Sequence, residues 1–283
     1  MLSFLAFLVV HITLVVMIGF AHNMNHIVLG TNDDGRVGIW LGFVGIGAVA
    51  VCWIAAHYLS WHQPRALQHV LKVVTYPMQL LTLNRLMPQQ MYSEQDISLN
   101  FWPNGKIPVR DEWQRPSEGG FCDFKLKISG LVENPVELSL ADLRNLGEVD
   151  HITMHHCIQG WSGIAKWGGL AMKTLVEIVQ PKPNAKVVAF FSFLGPTYGN
   201  LNYDTQSLEN VLKPECLLAS EMNGQPLTEV YGAPLRLRVE SQLCYKMIKW
   251  IEQLEFIESE KTIRRGEGGS NEDDEYFDLL PNI

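Results

Sequence analysis

No Cys-x-x-Cys pair occurs in this 283-residue sequence, and its five cysteines, Cys52, Cys122, Cys157, Cys216 and Cys244, are odd in number. A disulfide framework is therefore excluded as the organising device, and zinc sites built on paired cysteines go with it. Positive charge is also scarce. Lys and Arg number 22 against 30 Asp and Glu, for a net charge of −8. That balance excludes nucleic acid as a partner, because phosphate binding needs basic patches. There is no internal repeat, and the regular βαβ alternation of a doubly wound sheet is missing. The opening MLSF carries no basic residue and no twin-arginine pair precedes the first apolar run, which sets it apart from a secretory signal.

Long uncharged runs are present instead. Residues 2–20 and 38–59 contain no formal charge, and each approaches the ~20 residues that a bilayer-spanning helix requires. Residues 1–60 therefore read as a two-helix transmembrane anchor. The loop between the runs has Arg36 beside Asp33 and Asp34, whereas Arg65 and Lys72 follow the second run. This bias places the chain in the inner membrane as a multi-pass protein, with the large domain on the cytoplasmic side. Residues 61–95 form a connector interrupted by Pro64 and Pro77; an interfacial helix and a linker packed on the soluble domain are equal readings of it. His11, His22, His26 and His57 mark the runs and their edges. His11 and His22 stand about three turns apart on one helix. A b-type heme between histidines is one reading of this pattern; ordinary polar residues at span ends are the other.

Residues 96–283 read as an α+β domain with an acidic tail at 267–278. Strand signals lie in 121–132, where Phe124, Leu126 and Ile128 alternate, and in 185–193 and 233–239. Ser139 caps a short helix with Asp142 at the third position. Residues 171–179 form an amphipathic helix, the passage around Pro214 a helix or loop, and 245–258 one or two strands. VDHITMHHC runs as a strand into a special loop.

That loop, residues 155–169, sets His155, His156 and Cys157 in a row, followed by Trp161, Trp167 and four glycines. Glycine permits close approach of a ligand and tryptophan supplies a flat wall with an indole donor. Three contiguous residues do not converge easily on one zinc ion. A Cys–His nucleophile, a single thiolate on a soft metal whose other ligands come from an organic cofactor, and a buried structural cysteine remain open.

The loop resembles the molybdenum-cysteine loop of the sulfite-oxidase superfamily, and in particular the bacterial molybdopterin-dependent branch that includes methionine-sulfoxide reductase catalytic subunits. Three further motifs resemble that family in order: GFCDFKLKISGLVENPVELSLADL, AFFSF, and the passage from NGQPL through GAPLRL to YKMIKW; the EGGSNEDDEY tail also fits. The likeness spans roughly residues 96–278. It implies a sulfite-oxidase-type molybdopterin-binding domain in which Cys157 ligates molybdenum. His155 and His156 can change charge near neutral pH, so either reads as a catalytic residue that binds an oxyanion or moves a proton, or as one that orients the loop. Phe101, Trp102, Pro103, Ser192, Tyr231, Arg236, Met247, Ile248 and Lys249 would hold the pterin cofactor. Tyr231 and Cys244 depart from the family pattern. The implied activity is oxygen-atom transfer, first as reduction of an S-oxide or N-oxide. Sulfite oxidation and a non-catalytic membrane-anchored pterin carrier are the rivals. With no heme domain in the soluble part, electrons would come from a quinol-linked or b-type cytochrome partner at the membrane, and the substrate would be a small oxide or oxyanion.

Overall fold

The computed structural model describes residues 2–86, 91–194 and 201–274; the tail residues 275–278 lie outside them. The chain divides into two compact units, Met1–Lys72 and Val73–Ile283.

In the first unit, helix α1 (Leu2–Met17) is followed by α2 (Phe20–Leu29), and α3 (Val37–His62) returns after a short loop. The expected first span is not straight. It bends by 110° between α1 and α2, at Gly19, whose φ of 127° suits glycine and few other residues. Among the described residues α3 alone is long and apolar enough to cross a membrane, and the bent pair passes that test only if taken as one span. The bend also separates His11 and His22 onto two helices, so the shared face expected of them does not exist. The α2–α3 loop is organised by one buried amide. Asn25 donates to Asp33 O at 3.0 Å, Asp33 Oδ1 at 2.7 Å and Gly35 O at 2.7 Å, and accepts from Gly38 N at 2.7 Å. Both polar atoms of the amide are thus used inside a fully buried contact. The connector is one helix, α4 (Pro64–Leu86). Pro64 takes its first position, where no N–H partner is required, and Pro77, expected to interrupt it, is carried inside.

The second unit has two five-stranded sheets. The first runs β2 (Val136–Ser139), β1 (Lys125–Gly130), β10 (Ile251–Ile257), β5 (Val187–Ser192), β6 (Tyr203–Ser207). Among the described strands only β1 and β10 pair parallel, which sets β1 beside β10. The second runs β3 (Val149–His156), β4 (Ser162–Ala171), β7 (Leu217–Met222), β8 (Gln225–Pro226), and β9 (Arg236–Arg238) also pairs with β7. One continuous apolar cluster joins side chains of both sheets, among them Leu126, Phe190, Phe256, Trp167, Leu218 and Leu237, with Trp113 of α5 (Asp111–Glu118) and Leu175 of α7 (Met172–Val179). This is an α+β arrangement of packed layers.

The alternation through Leu126 and Ile128 points both into the core, as the period of a half-buried strand requires. Ser139 caps α6 (Leu140–Asn145) and accepts from Asp142 N at 3.1 Å. Three expectations need correcting. The passage after Pro214 is strand β7 rather than a helix, preceded by the single turn α8 (Leu208–Val211). Residues 233–239 hold a strand of only three residues, all buried. Residues 245–250 are a turn and a bridge, and the strand begins at Ile251. Each is a place where burial on both faces or irregular backbone erases periodicity.

The pairing of β4 with β7 shifts register between Gly168 and Gly169, and a Cβ at Gly169 would come within 2.0 Å of Leu218 O. Gly169→Ala must push the two strands apart. We expect a loss of about 1–3 kcal/mol, the range for overpacked cores, in the denaturation midpoint of the detergent-solubilised chain. An unchanged midpoint would contradict this close approach.

Candidate functional site

The end of β3 and the turn after it border a cavity that Cys157 itself does not line. The turn closes through Cys157 N to Trp161 O at 3.0 Å and Gly160 N to Cys157 O at 3.0 Å. Gly160 takes φ 87° there, a value that a side chain would strain. Cys157 is thereby held at 7% exposure, with its sulfur 3.9 Å from Gln159 Oε1. Its neighbours His155, Ile158 and Gln159 line a cavity of about 380 Å³, together with Cys244 and the segments 101–105 and 247–250.

Strand alternation separates the two histidines. His155 is buried and faces the cavity. His156 does not line it, and its Nδ1 lies 3.2 Å from Ser162 Oγ. His155 Nδ1 lies 2.9 Å from Arg238 Nη1. A guanidinium can only donate, so Nδ1 accepts and the ring proton sits on Nε2. Burial, with the charge of Arg238 next, holds the ring far below its ordinary value, at about 2. His155 is therefore a neutral donor through Nε2 across the working pH range, and the acid–base role open to a histidine near neutral pH is closed to it. Arg238 is itself clamped by Glu240, with Nε and Nη2 each donating at 2.8 Å.

Arg236 and Arg238, two residues apart on β9, stack on Trp167 at 4.6 and 4.2 Å from its ring centroid. The two cations differ in one respect. Arg238 has Glu240; Arg236 is 4% exposed and has no carboxylate partner among the described residues. Its Nη1 donates to Tyr231 O at 3.1 Å and its Nε has no partner. Burial, then the Arg238 charge, pulls it down to about 9. Lys249 also lines the cavity without a carboxylate among the described residues. It donates to the carbonyls of Asn104 and, at 2.8 Å, Val230. Its ammonium lies 4.1 Å from the Trp250 ring centroid. Burial, with Arg236 next, lowers it to about 7.

The early loop is fixed by its aromatic residue. Phe101 packs edge-on against Trp161, Trp167 and Tyr231 at 5.5–6.0 Å, and Tyr231 Oη donates to Phe101 O at 2.7 Å. Phe101, Trp102, Pro103, Tyr231, Arg236, Met247, Ile248 and Lys249 all line the cavity, as the sequence suggested. Ser192 does not. Its hydroxyl donates to Lys249 O at 2.7 Å and accepts from Leu194 N at 3.0 Å, which makes it a brace behind the wall. Sequence reasoning missed Arg238, although its in-phase spacing from Arg236 was a usable signal. It also missed the far end of the cavity. There Lys246 pairs with Asp204 and Glu272 in a buried cluster. Tyr203 Oη donates to Asp273 at 2.9 Å, and Ser270 and Asn271 reach the cavity.

A cavity with a neutral imidazole donor and two cations lacking carboxylates among the described residues, next to the buried thiol of Cys157, suits an anionic organic cofactor. The chain belongs to the family of the oxidoreductase molybdopterin binding domain, whose model matches residues 112–264, more than half of the sequence. It is 34% identical over 133 residues to a putative protein-methionine-sulfoxide reductase subunit YedZ1 of Azospira oryzae, covering 47% of this chain and 48% of that one. It is 31% identical over 145 residues to the protein-methionine-sulfoxide reductase catalytic subunit MsrP of Xanthomonas campestris pv. campestris, covering 48% and 45%. With MsrP of Campylobacter jejuni it shares 27% over 172 residues, covering 57% and 58%. The chain thus spans about half the length of the curated relatives it matches. The sulfane dehydrogenase SoxCD of Paracoccus pantotrophus overlaps 49% of this chain and 39% of its own, at 22% identity and a TM-score of 0.44.

The residues present fit a molybdopterin. The unpartnered Arg236 Nε and the Lys249 ammonium suit a phosphate and pterin acceptors, and Cys157 offers the soft donor that molybdenum accepts. Among the described residues there is no group of three or more metal-ligating side chains, so the metal would have to arrive with its organic ligand.

The Lys246 cluster has two acids for one base. Burial pushes Asp204 up to about 8 from an ordinary 3.8, so the folded chain binds a proton that the unfolded chain releases near pH 4. The stability this contributes is complete below about pH 4 and is lost as pH rises through about 8. In Asp204→Asn the group cannot titrate, and we expect the fall in Tm between pH 5 and ~9 to flatten relative to the unsubstituted chain. Parallel Tm-against-pH curves for the two would refute it.

Proposed function

We propose that this chain is a membrane-anchored molybdenum–molybdopterin oxidoreductase that reduces a neutral S-oxide. The observation that carries the cofactor reading is the pair of cations without carboxylates among the described residues, buried Arg236 and half-buried Lys249, facing a cavity that the neighbours of Cys157 line. Cys157 would ligate the metal through its thiolate. Arg236, Lys249 and the walls Phe101, Trp102, Pro103, Tyr231, Met247 and Ile248 would hold the pterin. The metal supplies oxygen-atom transfer, in which an S-oxide, two electrons and two protons give a sulfide and water.

Charge at the reacting end favours a neutral substrate over sulfite. An anion pocket needs a cation that the cofactor does not use. Lys166 of β4, the only lysine or arginine of residues 155–169, pairs with Glu94 at 3.4 Å and Asp150 at 3.1 Å and does not line the cavity. His155 is neutral, and its Nε2–H is suited to an S=O oxygen. His156 would act from the loop's outer side through Ser162. Sulfite oxidation remains the rival within the enzyme class, and a pterin carrier without turnover the rival outside it.

Helix α3 would fix the chain in the inner membrane, and the bent α1–α2 pair would complete a two-pass anchor. The charge bias of Arg65 and Lys72 over Arg36 would put the catalytic unit on the cytoplasmic side. Electrons would come from a quinol-linked or b-type cytochrome partner. His22 lies 3.5 Å from Asp34 and His26 Nδ1 lies 3.0 Å from Asn32; these loop contacts favour an external donor over a heme on this chain.

Four measurements test this. Purified in mild detergent, the chain should hold stoichiometric molybdenum, and Cys157→Ser should lose it together with turnover. Methionine sulfoxide should be reduced and sulfite left untouched; turnover on sulfite alone would reverse the assignment of substrate. Arg236→Met and Lys249→Gln should each weaken pterin retention about 10–100-fold, the equivalent of one charge-assisted hydrogen bond of ~1.5–3 kcal/mol. Retention equal to wild type in both would remove the cations from the cofactor site. Dithionite-reduced spectra with b-type bands at a fixed ratio to molybdenum would place a heme on the chain itself.

A further inference from the structure

The two ends of the cavity differ in hydrogen-bonding character. Arg236 and Lys249 bring only donors to theirs. The far end is made by β6 and the short helix Ser270–Asp274. A backbone bridge between Asp204 and Gly269, and the bond from Tyr203 N to Ser270 Oγ at 2.9 Å, hold that helix on the strand. Tyr203, Ser270 and Lys246 spend their donors inside the protein. Tyr203 Oη donates to Asp273, and Ser270 Oγ donates to Leu201 O at 3.1 Å. The three donors of the Lys246 ammonium go to Asp204, Glu272 and Gly268 O.

Acceptors are left over. Asn271 lines the cavity, and its Nδ2 donates to Tyr245 O at 3.3 Å. A carbonyl only accepts, so the amide orientation is set and Oδ1 is the atom that remains. Asp204 lines the cavity at 3% exposure. Its Oδ1 accepts from Thr205 N at 2.7 Å and pairs with Lys246, which leaves Oδ2. Ionised or protonated, a carboxyl oxygen keeps acceptor lone pairs.

We propose that Asn271 and Asp204 recognise the pterin by its 2-amino group and so fix which way round the cofactor lies. This deepens the molybdopterin reading and rests on it. The 2-amino-4-oxopyrimidine edge of a pterin presents N–H donors from its exocyclic amine and from N3. Asn271 Oδ1 and Asp204 Oδ2 are the acceptors for that edge, and Arg236 and Lys249 the donors for the phosphate. A site built to pair with an N–H rejects an analogue that lacks it, because the site's own polar groups are then left unpaired.

The test compares two probes of nearly equal shape, pterin-6-carboxylate and lumazine-6-carboxylate. Both carry an anion for Arg236 and Lys249, but the lumazine has a carbonyl where the pterin has its 2-amino group. Binding is read from probe fluorescence on the full chain in mild detergent, made in cells that cannot synthesise the cofactor. The unsubstituted chain should prefer the pterin by about 10-fold or more. Asn271→Leu should cut that preference about 3–10-fold, the loss of one neutral hydrogen bond. In Asp204→Asn, Lys246 and Thr205 N keep the oxygen at Oδ1, so an N–H takes the place of Oδ2 and should move the preference toward the lumazine. Equal binding of the two probes by the unsubstituted chain, or binding of neither, overturns the proposal. A preference unchanged in Asn271→Leu also overturns it; that residue is half-buried and outside the Lys246 cluster. Molybdopterin content of the chain from cells that make the cofactor separates the two failures. A chain that holds molybdopterin but does not discriminate the probes loses this recognition alone, and a chain that holds none loses the cofactor reading with it.

Discussion

The catalytic unit is organised around positive charge buried on a strand of three residues. Arg236 and Arg238 stand in phase on β9 and share one tryptophan, Trp167, between them. Removing a guanidinium from water is costly unless its donors are met. Arg238 satisfies its own through Glu240 and His155, and that second bond fixes the imidazole tautomer. Arg236 is only partly satisfied by Tyr231 O. The fold therefore keeps one cation fully compensated to position a side chain and leaves its neighbour short of an anion. The cis peptide at Ala233–Pro234 and the turn through Gly232 precede this strand. A Cβ at Gly232 would meet Lys249 Cβ at 3.0 Å, so the two uncompensated cations approach across a position that only glycine suits.

Much of this was legible in the sequence, and the pattern of what was not has a physical cause. The half-buried strand β1 announced itself because alternate positions face different solvents. The cap at Ser139 was readable because it is local, set by residues three apart. The HHC loop was readable as unusual, and most of its partners were reached through a family likeness rather than through spacing. Strand β7 was misread because both its faces are buried, so that nothing alternates. Ser192 was placed at the cofactor because its type matched; whether its hydroxyl points into the cavity depends on Lys249 O and Leu194 N, fifty-seven and two residues away. The buried Lys246 cluster gathers residues from three separate segments, and no single window of sequence contains it. The bend at Gly19 is different: the residue was visible, but an apolar run of the right length hides a glycine that breaks it.

The distribution of charge around Cys157 also bears on what the site discriminates. Its cations divide into three sets with different neighbours. Arg238 and Lys246 are neutralised by carboxylates. Lys166 is neutralised outside the cavity. Arg236 and Lys249 are uncompensated, but they stand with the aromatic wall and the 101–105 loop, where a large anionic cofactor would consume them. With the cofactor in place no cation is left for a second anion among the described residues, while a neutral donor, His155 Nε2–H, still faces the cavity. A doubly charged oxyanion would enter without a counter-charge, and desolvating it would then oppose binding by several kcal/mol. A sulfoxide carries no net charge and needs one good donor at its oxygen, which is what the Arg238–His155 pair leaves open. On the proposed function, substrate choice would follow from which of these cations have partners and which do not, and Arg238 would act on it by fixing where the imidazole carries its proton.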